Sequence, residues 1–514
     1  MASTFRGLEV GKSALNTASI NQDVTGQNIA NAKTAGYSRQ RTVTAARVPV
    51  GSNYVLDQIY NKRVGQGSEV TDITQYRSDY LDKQFRNQDS DYNYYQYRDQ
   101  GLTYLTGVVN ELDDDSSVTV SLDDFKSSLQ NLAKDSTSQE NRLNVQQRAT
   151  ALIKSLGYVH SEMVDLWEDQ NTSVQTVADS INSKTDQIAM LNSAIANYEH
   201  NGTTANDLRD ERNTLLDELS GLVDITYSTN TTNDSMVDVQ IGGVTLVSGS
   251  EKNSLSVDTS TTNAYTNQPE NTLLLNDTIG GSGTYTLSTS SGVSNTIQIK
   301  GGELYAHMEL LTSTDSTTPG IPYYIAQINQ YAQSIAKQVN DIHTTGYTDP
   351  QDGSASQTGI NFFEVPKDLS GNEDYSLITA GNLSLSQEVK DSVWNIAASS
   401  VKIDLSASST NESNADIAAK LYSLADGGDF YTKLNTIVGH LAIVSDTNTG
   451  LLDTNQSMLN SISKQRTSLS GVSLDEETTN LIMYQQSYNV ASRMITTVDE
   501  MLNTLINGTG RVGL

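Results

Sequence analysis

The chain has 514 residues, 36% of them hydrophobic and 18% charged, and sets 32 Lys and Arg against 61 Asp and Glu for a formal charge of −29. That balance repels phosphate backbones and anionic membranes, which excludes nucleic acid as a partner for the bulk of the chain. With no cysteine there is no disulfide framework, and with no run of about 18 apolar residues no membrane insertion is expected.

Residues 1–70 run against the overall charge, with eight Lys and Arg to four Asp and Glu. The opening residues MASTFRGLEV hold no apolar stretch that could form a signal-peptide core, so a route other than general secretion is expected. The first predicted element is a helix. Leu8, Gly11, Leu15, Ala18, Thr25 and Ile29 fall in steps of three and four, interrupted at Gln22, and make a narrow seam with small residues at close-approach positions. Asn31 to Tyr37 then reads as a helix stop with Gly36 at the turn. Together with a linker this terminal segment spans 1–74.

Long helices are predicted over 75–225, from spacings such as Leu129, Leu132 and Ala133, then Leu152, Ile153 and Leu156, then Ile181, Ile188, Leu191 and Ile195. The cluster Tyr92, Tyr94, Tyr95 and Tyr97 reads as packing between those helices. Composition changes at 226, and 226–300 is expected to be an inserted β domain. Val237, Val239 and Ile241, then Gly242-Gly243, then Val244 and Leu246 spell a hairpin with a two-residue turn. A helical return (301–345), a second irregular or β insertion (346–410) and a further helical part (411–470) follow.

The last segment, 471–514, carries the strongest periodicity. Leu481, Tyr484, Tyr488, Ala491, Ile495, Val498, Leu502 and Leu505 alternate steps of three and four, the pattern of a coiled coil. Ser473 and Glu476 suggest a capping box ahead of it. A helix over 475–506 would be about 48 Å long. A seam so narrow buries little alone, so a partner helix is expected, and the two chain ends can partner each other. The fold class is therefore multidomain and mainly α with inserted β, built from terminal coiled-coil helices, a helical-bundle domain and β-rich outer domains.

Several stretches resemble a known family. Asn28-Ile-Ala-Asn31-Ala-Lys33-Thr34-Ala35-Gly36-Tyr37-Ser38-Arg39-Gln40 is similar to the N-terminal signature of flagellar axial (rod and hook) proteins, with the Tyr-Ser-Arg-Gln ending of the hook-associated, hook–filament junction branch. Ser470 to Glu477, followed by Tyr484-Gln-Gln-Ser-Tyr488, resembles the family's C-terminal signature. Asn206-Asp-Leu-Arg-Asp-Glu-Arg212, Gly301-Gly-Glu-Leu304 and Val339 to Tyr347 resemble that branch rather than its rod and hook relatives. Ala35 replaces a common proline and Lys33 a small polar residue.

The resemblance implies a structural subunit added at the hook tip, exported in unfolded form through the flagellar type III apparatus with a cytoplasmic chaperone at its C-terminus. It implies copies of itself, the hook protein and the second hook-associated protein as neighbours, an extracellular place at the hook–filament junction, and termini that order into coiled coil on assembly. A hook or filament subunit is the alternative within the class, and a secreted glycan-binding or hydrolytic protein the alternative outside it.

No catalytic, cofactor or metal site is predicted. The histidines, His160, His200, His307, His343 and His440, lie outside helical reach of one another, and no His-Glu-x-x-His motif, P-loop or dinucleotide fingerprint occurs. Asp113 to Asp115 reads as a solvated charge run, Gly280 to Gly283 as a β loop, and Asp123-Asp124 as an acidic pair without a pocket.

Overall fold

The computed structural model describes residues 6–47, 65–109, 117–279, 283–289, 295–350, 355–404 and 413–508. Asp113 to Asp115, Lys62, Arg63 and most of the Gly280 to Gly283 loop lie outside the described residues.

The two chain ends meet. Helix α1 (Arg6–Ala30) runs antiparallel to the last helix, α11 (Leu474–Gly508), with Gly7 against Val498, Gly11 against Ile495 and Asn28 beside Glu477. Strands β1 (Gln40–Ala46) and β2 (Ser68–Gln75) form an antiparallel hairpin on another side of α1. Ser13 and Thr17, one helical turn apart, both donate to the Ser68 carbonyl, at 2.6 and 3.1 Å.

The body is helical. Helices α2 (Asp79–Val109) and α10 (Asp429–Ser470) lie antiparallel, tied by Gln88 to Asn455 at 2.6 Å and by Asn448 to the Tyr95 carbonyl at 3.0 Å. Helices α3 (Val118–Lys134) and α4 (Gln139–Glu199) each start on a serine, Ser117 and Ser138, whose hydroxyl accepts from the third residue along. At 61 residues, α4 is about 92 Å long. Leu152, Leu156, Met163, Trp167, Val174, Ile181 and Ile188 recur along it at helical spacing and are buried in one continuous core. Trp167 also donates to the Leu311 carbonyl at 3.0 Å. Helices α5 (Asn206–Leu222), α6 (Gly302–Thr312) and α7 (Ile321–His343) pack around it. The tyrosine cluster sits where α2 meets α6: the Tyr94 hydroxyl donates to Glu309 at 2.6 Å, and the Tyr94 and Tyr305 ring centres are 5.0 Å apart.

Between α5 and α6 stand two four-stranded sheets. One joins β3 (Ile225–Thr229), β4 (Val237–Ile241), β5 (Val244–Ser248) and β6 (Glu251–Lys252) in that order. The other runs in the order β10-β9-β8-β7, with β7 (Ser254–Thr262), β8 (Pro269–Asp277), β9 (Gly283–Ser288) and a parallel β10 (Thr296–Gln298). Gly242 and Gly243 have φ of 53° and 84°, both in the left-handed region that the β4–β5 turn needs.

Three asparagines fasten these strands to α4. Asn171, Asn182 and Asn192 recur at about three helical turns, and each presents its amide to strand backbone as another strand would. Asn182 accepts from the Leu255 N–H at 2.8 Å and donates to its carbonyl at 2.9 Å. Asn171 does the same with Asn271 N–H and Pro269 C=O, at 2.8 and 3.0 Å, and Asn192 with Val237, at 3.2 and 2.8 Å. Edge groups that would otherwise be unpaired are thereby satisfied.

The described residues of 347–350 and 355–404 are mostly irregular, with isolated bridges and the short helix α8 (Gln387–Asp391), before α9 (Asp416–Asp426) returns to the core. The Val339 to Tyr347 stretch holds this region. Asn340 accepts from Phe362 and Phe363 N–H at 2.9 and 2.8 Å and donates to the Phe363 carbonyl at 2.9 Å. His343 lies between the Ile360 carbonyl, 2.7 Å from Nδ1, and the Ala397 N–H, 2.8 Å from Nε2. The carbonyl requires a proton on Nδ1 and the amide requires a lone pair on Nε2, so the ring is neutral. Burial accordingly depresses its pKa to about 4.

Candidate assembly site: the paired chain ends and their joint

On α11, Leu481, Tyr484, Tyr488, Ile495, Val498 and Leu502 are half-buried and Ala491 is buried, along the side that meets α1. Leu505 departs from the expected seam and is 51% exposed. The partner of the seam is the chain's own α1. Its close approach depends on small residues: a Cβ on Gly11 would stand 2.8 Å from Ile495 Cγ1, and one on Gly7 would stand 3.1 Å from Val498 Cγ2.

On α1, Ala18 is buried, while Leu8, Leu15 and Ile29 are half-buried. The deepest side chains there include Ser13, Thr17, Thr25 and Asn28, which the apolar pattern could not mark. Ser13, Thr17 and Asn28 reach the hairpin and α11 through hydrogen bonds, and a polar residue on a helix carries no such label in sequence.

The signature residues build a joint around Asn28. Its Oδ1 accepts from the Tyr37 hydroxyl at 2.8 Å and the Gln40 N–H at 2.9 Å, while Nδ2 donates to the Gln40 carbonyl at 2.9 Å and to Glu477 at 3.1 Å. One buried amide therefore ties the end of α1, the motif turn and the start of α11. Burial and the nearby Asp207, Asp210 and Glu477 push the Tyr37 hydroxyl well above its ordinary pKa, keeping it a donor. Asn31 closes the turn through its carbonyl, which accepts from Thr34 N–H at 2.9 Å. Gly36 has φ of 78°, and a Cβ there would stand 2.3 Å from Thr214 Oγ1, so backbone and packing both demand glycine. Ser38 N–H donates to Asp210 at 2.9 Å, and the Gln40 side chain to Asp207 at 3.0 Å, fixing the turn to α5. Arg39 donates through its backbone to the Ser470 carbonyl and through its guanidinium to Glu476 and Glu477, each at 2.8 Å. Lys33 and Ala35 are exposed and leave these contacts intact.

Ser473 caps α11, its hydroxyl 3.5 Å from the Glu476 N–H. The reciprocal half of the expected capping box is absent because the Glu476 carboxylate goes to Arg39.

Beneath the joint runs an ion chain that joins three helices. Arg77 pairs with Asp82 at 2.7 Å, Arg466 reaches both Asp82 at 2.9 Å and Asp217, and Arg86 pairs with Asp217 at 2.8 Å. Arg77 extends it to Asp210 at 3.4 Å. Asp89, close by, is pushed up to about 6 by burial and then by Asp217. The linker, α2, α5 and the end of α10 are thus locked together immediately before α11 begins.

Next to its closed seam, α11 carries a second apolar stripe. Met483, Val490, Met494 and Met501 are exposed, and their spacings of seven, four and seven put them on one face.

Among the described residues no group of three or more His, Cys, Asp or Glu is placed to hold a metal, and no helix is long and apolar enough to cross a membrane. Asp124 pairs with Arg148 at 2.7 Å and Asp123 accepts from the Tyr431 hydroxyl at 2.7 Å.

Comparison with known proteins places these features. The family model described as the flagellar hook-associated protein FlgK helical domain matches residues 102–363. Models of the flagella basal body rod protein and of the flagellar basal body rod FlgEFG protein C-terminal region match 8–37 and 452–508, which are the paired ends and their joint. The chain is 27% identical over 524 residues to flagellar hook-associated protein 1 of Bacillus subtilis, covering 99% of both. It is 26% identical over 575 residues to that of Salmonella typhimurium, covering 98% of both. The fold is similar to the flagellar hook junction protein FlgK of Burkholderia pseudomallei, with a TM-score of 0.60 at 14% identity over 76% of this chain and 100% of that one.

Proposed function

We infer that this chain, which belongs to the family of the flagellar hook-associated protein FlgK, is a structural subunit of the bacterial flagellum at the junction of hook and filament. We propose that it assembles there through its paired terminal helices. The observation that carries this is the double stripe on α11: one face is closed on α1, while the methionine-rich face beside it is exposed, with no cover among the described residues. An exposed apolar stripe of this kind marks an interaction surface, and methionine side chains adapt to several neighbours.

The neighbours in this reading are copies of the chain in a ring, the hook protein on one side and the second hook-associated protein on the other. A cytoplasmic chaperone covers the C-terminal helix before type III export. The role is structural and not enzymatic; the buried polar groups of the joint hold helices together, and no nucleophile or general-base pair is assembled there.

Immunogold labelling of intact flagella with an antibody to the β insertion tests the placement. One discrete label between hook and filament is the expected result. Label along the filament or dispersed over the cell would contradict it.

A further inference from the structure

The Asn206 to Arg212 stretch anchors the motif turn with one face of α5, through Asp207 and Asp210. Arg209 and Arg212 point the other way, into a cleft of about 490 Å³ where β2, α5 and β3 meet. Arg212 is only 5% exposed. Its Nη1 donates to Asn192 Oδ1 at 2.8 Å and to the Ser235 carbonyl at 2.7 Å, both neutral acceptors, and its Nε has no partner.

The acid nearest in charge to Arg212 is already filled. Glu199 takes Arg209 in a two-pronged contact at 2.7 and 2.8 Å, and accepts from Ala205 N–H at 3.0 Å and from the Ser235 hydroxyl. Burial and then the Arg209 charge hold the Arg212 pKa down at about 10.

Two further donors border the same cleft. The buried Tyr227 hydroxyl has no partner, and Lys83, which makes no ion pair among the described residues, sits with its ammonium 5.6 Å from the Tyr227 ring. Arg86 stacks on the same ring, 4.3 Å from the Tyr227 centroid, with a buried Nη1 that also lacks a partner. Asp72, Asp79 and Asp234 line the cleft as well. Asp72 is occupied by Thr204 Oγ1 and the Ile73 N–H, each at 2.8 Å, while Asp79 and Asp234 are exposed and screened by solvent and salt. Glu199 also acts on Arg212, and Asp82, Asp79 and Asp217 on Tyr227, but none of them pairs with Arg212 Nε or the Tyr227 hydroxyl.

We propose that this cleft is an oxyanion site, taking a carboxylate or phosphate group on Arg212 Nε, the Tyr227 hydroxyl and Lys83. An oxyanion is acceptor-only and carries enough lone pairs to serve several donors at once, and a guanidinium with free N–H groups is its usual match. The inference rests on the cleft alone and stands apart from the assembly reading.

The test is isothermal titration calorimetry of the full-length protein with inorganic phosphate in chloride buffer, with acetate as competitor. Saturable binding in the millimolar range is expected, lost in Arg212→Gln and weakened at least threefold in both Lys83→Gln and Tyr227→Phe. Lys83 is exposed and the Tyr227 hydroxyl has no partner to lose, so those two variants should keep the melting temperature measured in chloride, which covers the case in which Arg212→Gln fails to fold. Displacement by acetate assigns the site to carboxylates, and resistance to acetate assigns it to phosphates. No saturable heat with the intact protein, or equal heat from Lys83→Gln and Tyr227→Phe, would overturn the proposal.

Discussion

Arg466 is the keystone of the ion chain, and removing it has a calculable consequence. Its guanidinium bridges Asp82 and Asp217 and lies 4.6 Å from the Phe85 ring. Breaking a buried pair costs about 3–5 kcal/mol when the surviving charge is stranded. Here neither carboxylate is stranded, because Asp82 keeps Arg77 and Asp217 keeps Arg86, and the Arg466 side chain is 18% exposed. Discounting for both leaves about 1.5–2 kcal/mol, to which loss of the ring contact adds about 0.5–1 kcal/mol. Arg466→Met keeps the stem's packing and should therefore lower local stability by roughly 2–3 kcal/mol, or about 30- to 150-fold in opening. Arg466→Lys keeps the charge but reaches one carboxylate at a time, and should fall between. The assay is amide hydrogen exchange at the last turn of α10 and at Arg39, whose N–H is bonded to the Ser470 carbonyl. Protection within threefold of the unmodified protein in Arg466→Met would refute the reasoning and reduce the chain to surface ion pairs.

Three further outcomes follow from named contacts. His343 is neutral in the fold with a pKa of about 4 against an ordinary 6.5, so the unfolded chain takes up the proton first as pH falls. Its contribution is complete above pH 6.5 and is lost between pH 6.5 and about 4, up to a limit of roughly 3 kcal/mol. Urea midpoints at pH 7.5 and 5 should show a smaller drop in His343→Gln than in the unmodified protein. Asn182→Leu strips the Leu255 N–H and C=O of their partners at about 1–3 kcal/mol each. Leu255 should then exchange at least about tenfold faster, with α5 unchanged. Gly11→Val drives its side chain into Ile495 and should make both chain ends more sensitive to limited proteolysis, with partial rescue by Ile495→Ala.

The α11 seam was legible because its contacts recur every three and four residues along one helix, and periodicity reports such contacts wherever the partner lies. Leu505 continues the periodicity yet is exposed, since spacing marks a face and not the depth of burial. The β4–β5 hairpin was legible because Gly242-Gly243 is a local instruction. The joint was visible as a motif but not as a mechanism, since Asn28 is completed by Glu477, and Ser38 by Asp210. No local pattern links residues so far apart. The chain from Arg77 to Arg86 was hidden for the same reason. No apolar spacing singles out Asn171, Asn182 and Asn192, and only the strands they hold give them a role.

Ile495 tests the central claim most directly. It packs on Gly11 in the middle of the α1–α11 seam, and a carboxylate there would be buried without a partner, at a cost of several kcal/mol. Thr497 is exposed on the same helix, and Thr497→Asp is the control. Cells carrying Ile495→Asp should keep their hooks and release the altered protein and flagellin into the medium, yet lack filaments, whereas Thr497→Asp cells should swim. Normal filaments on Ile495→Asp cells would contradict assembly through the paired ends.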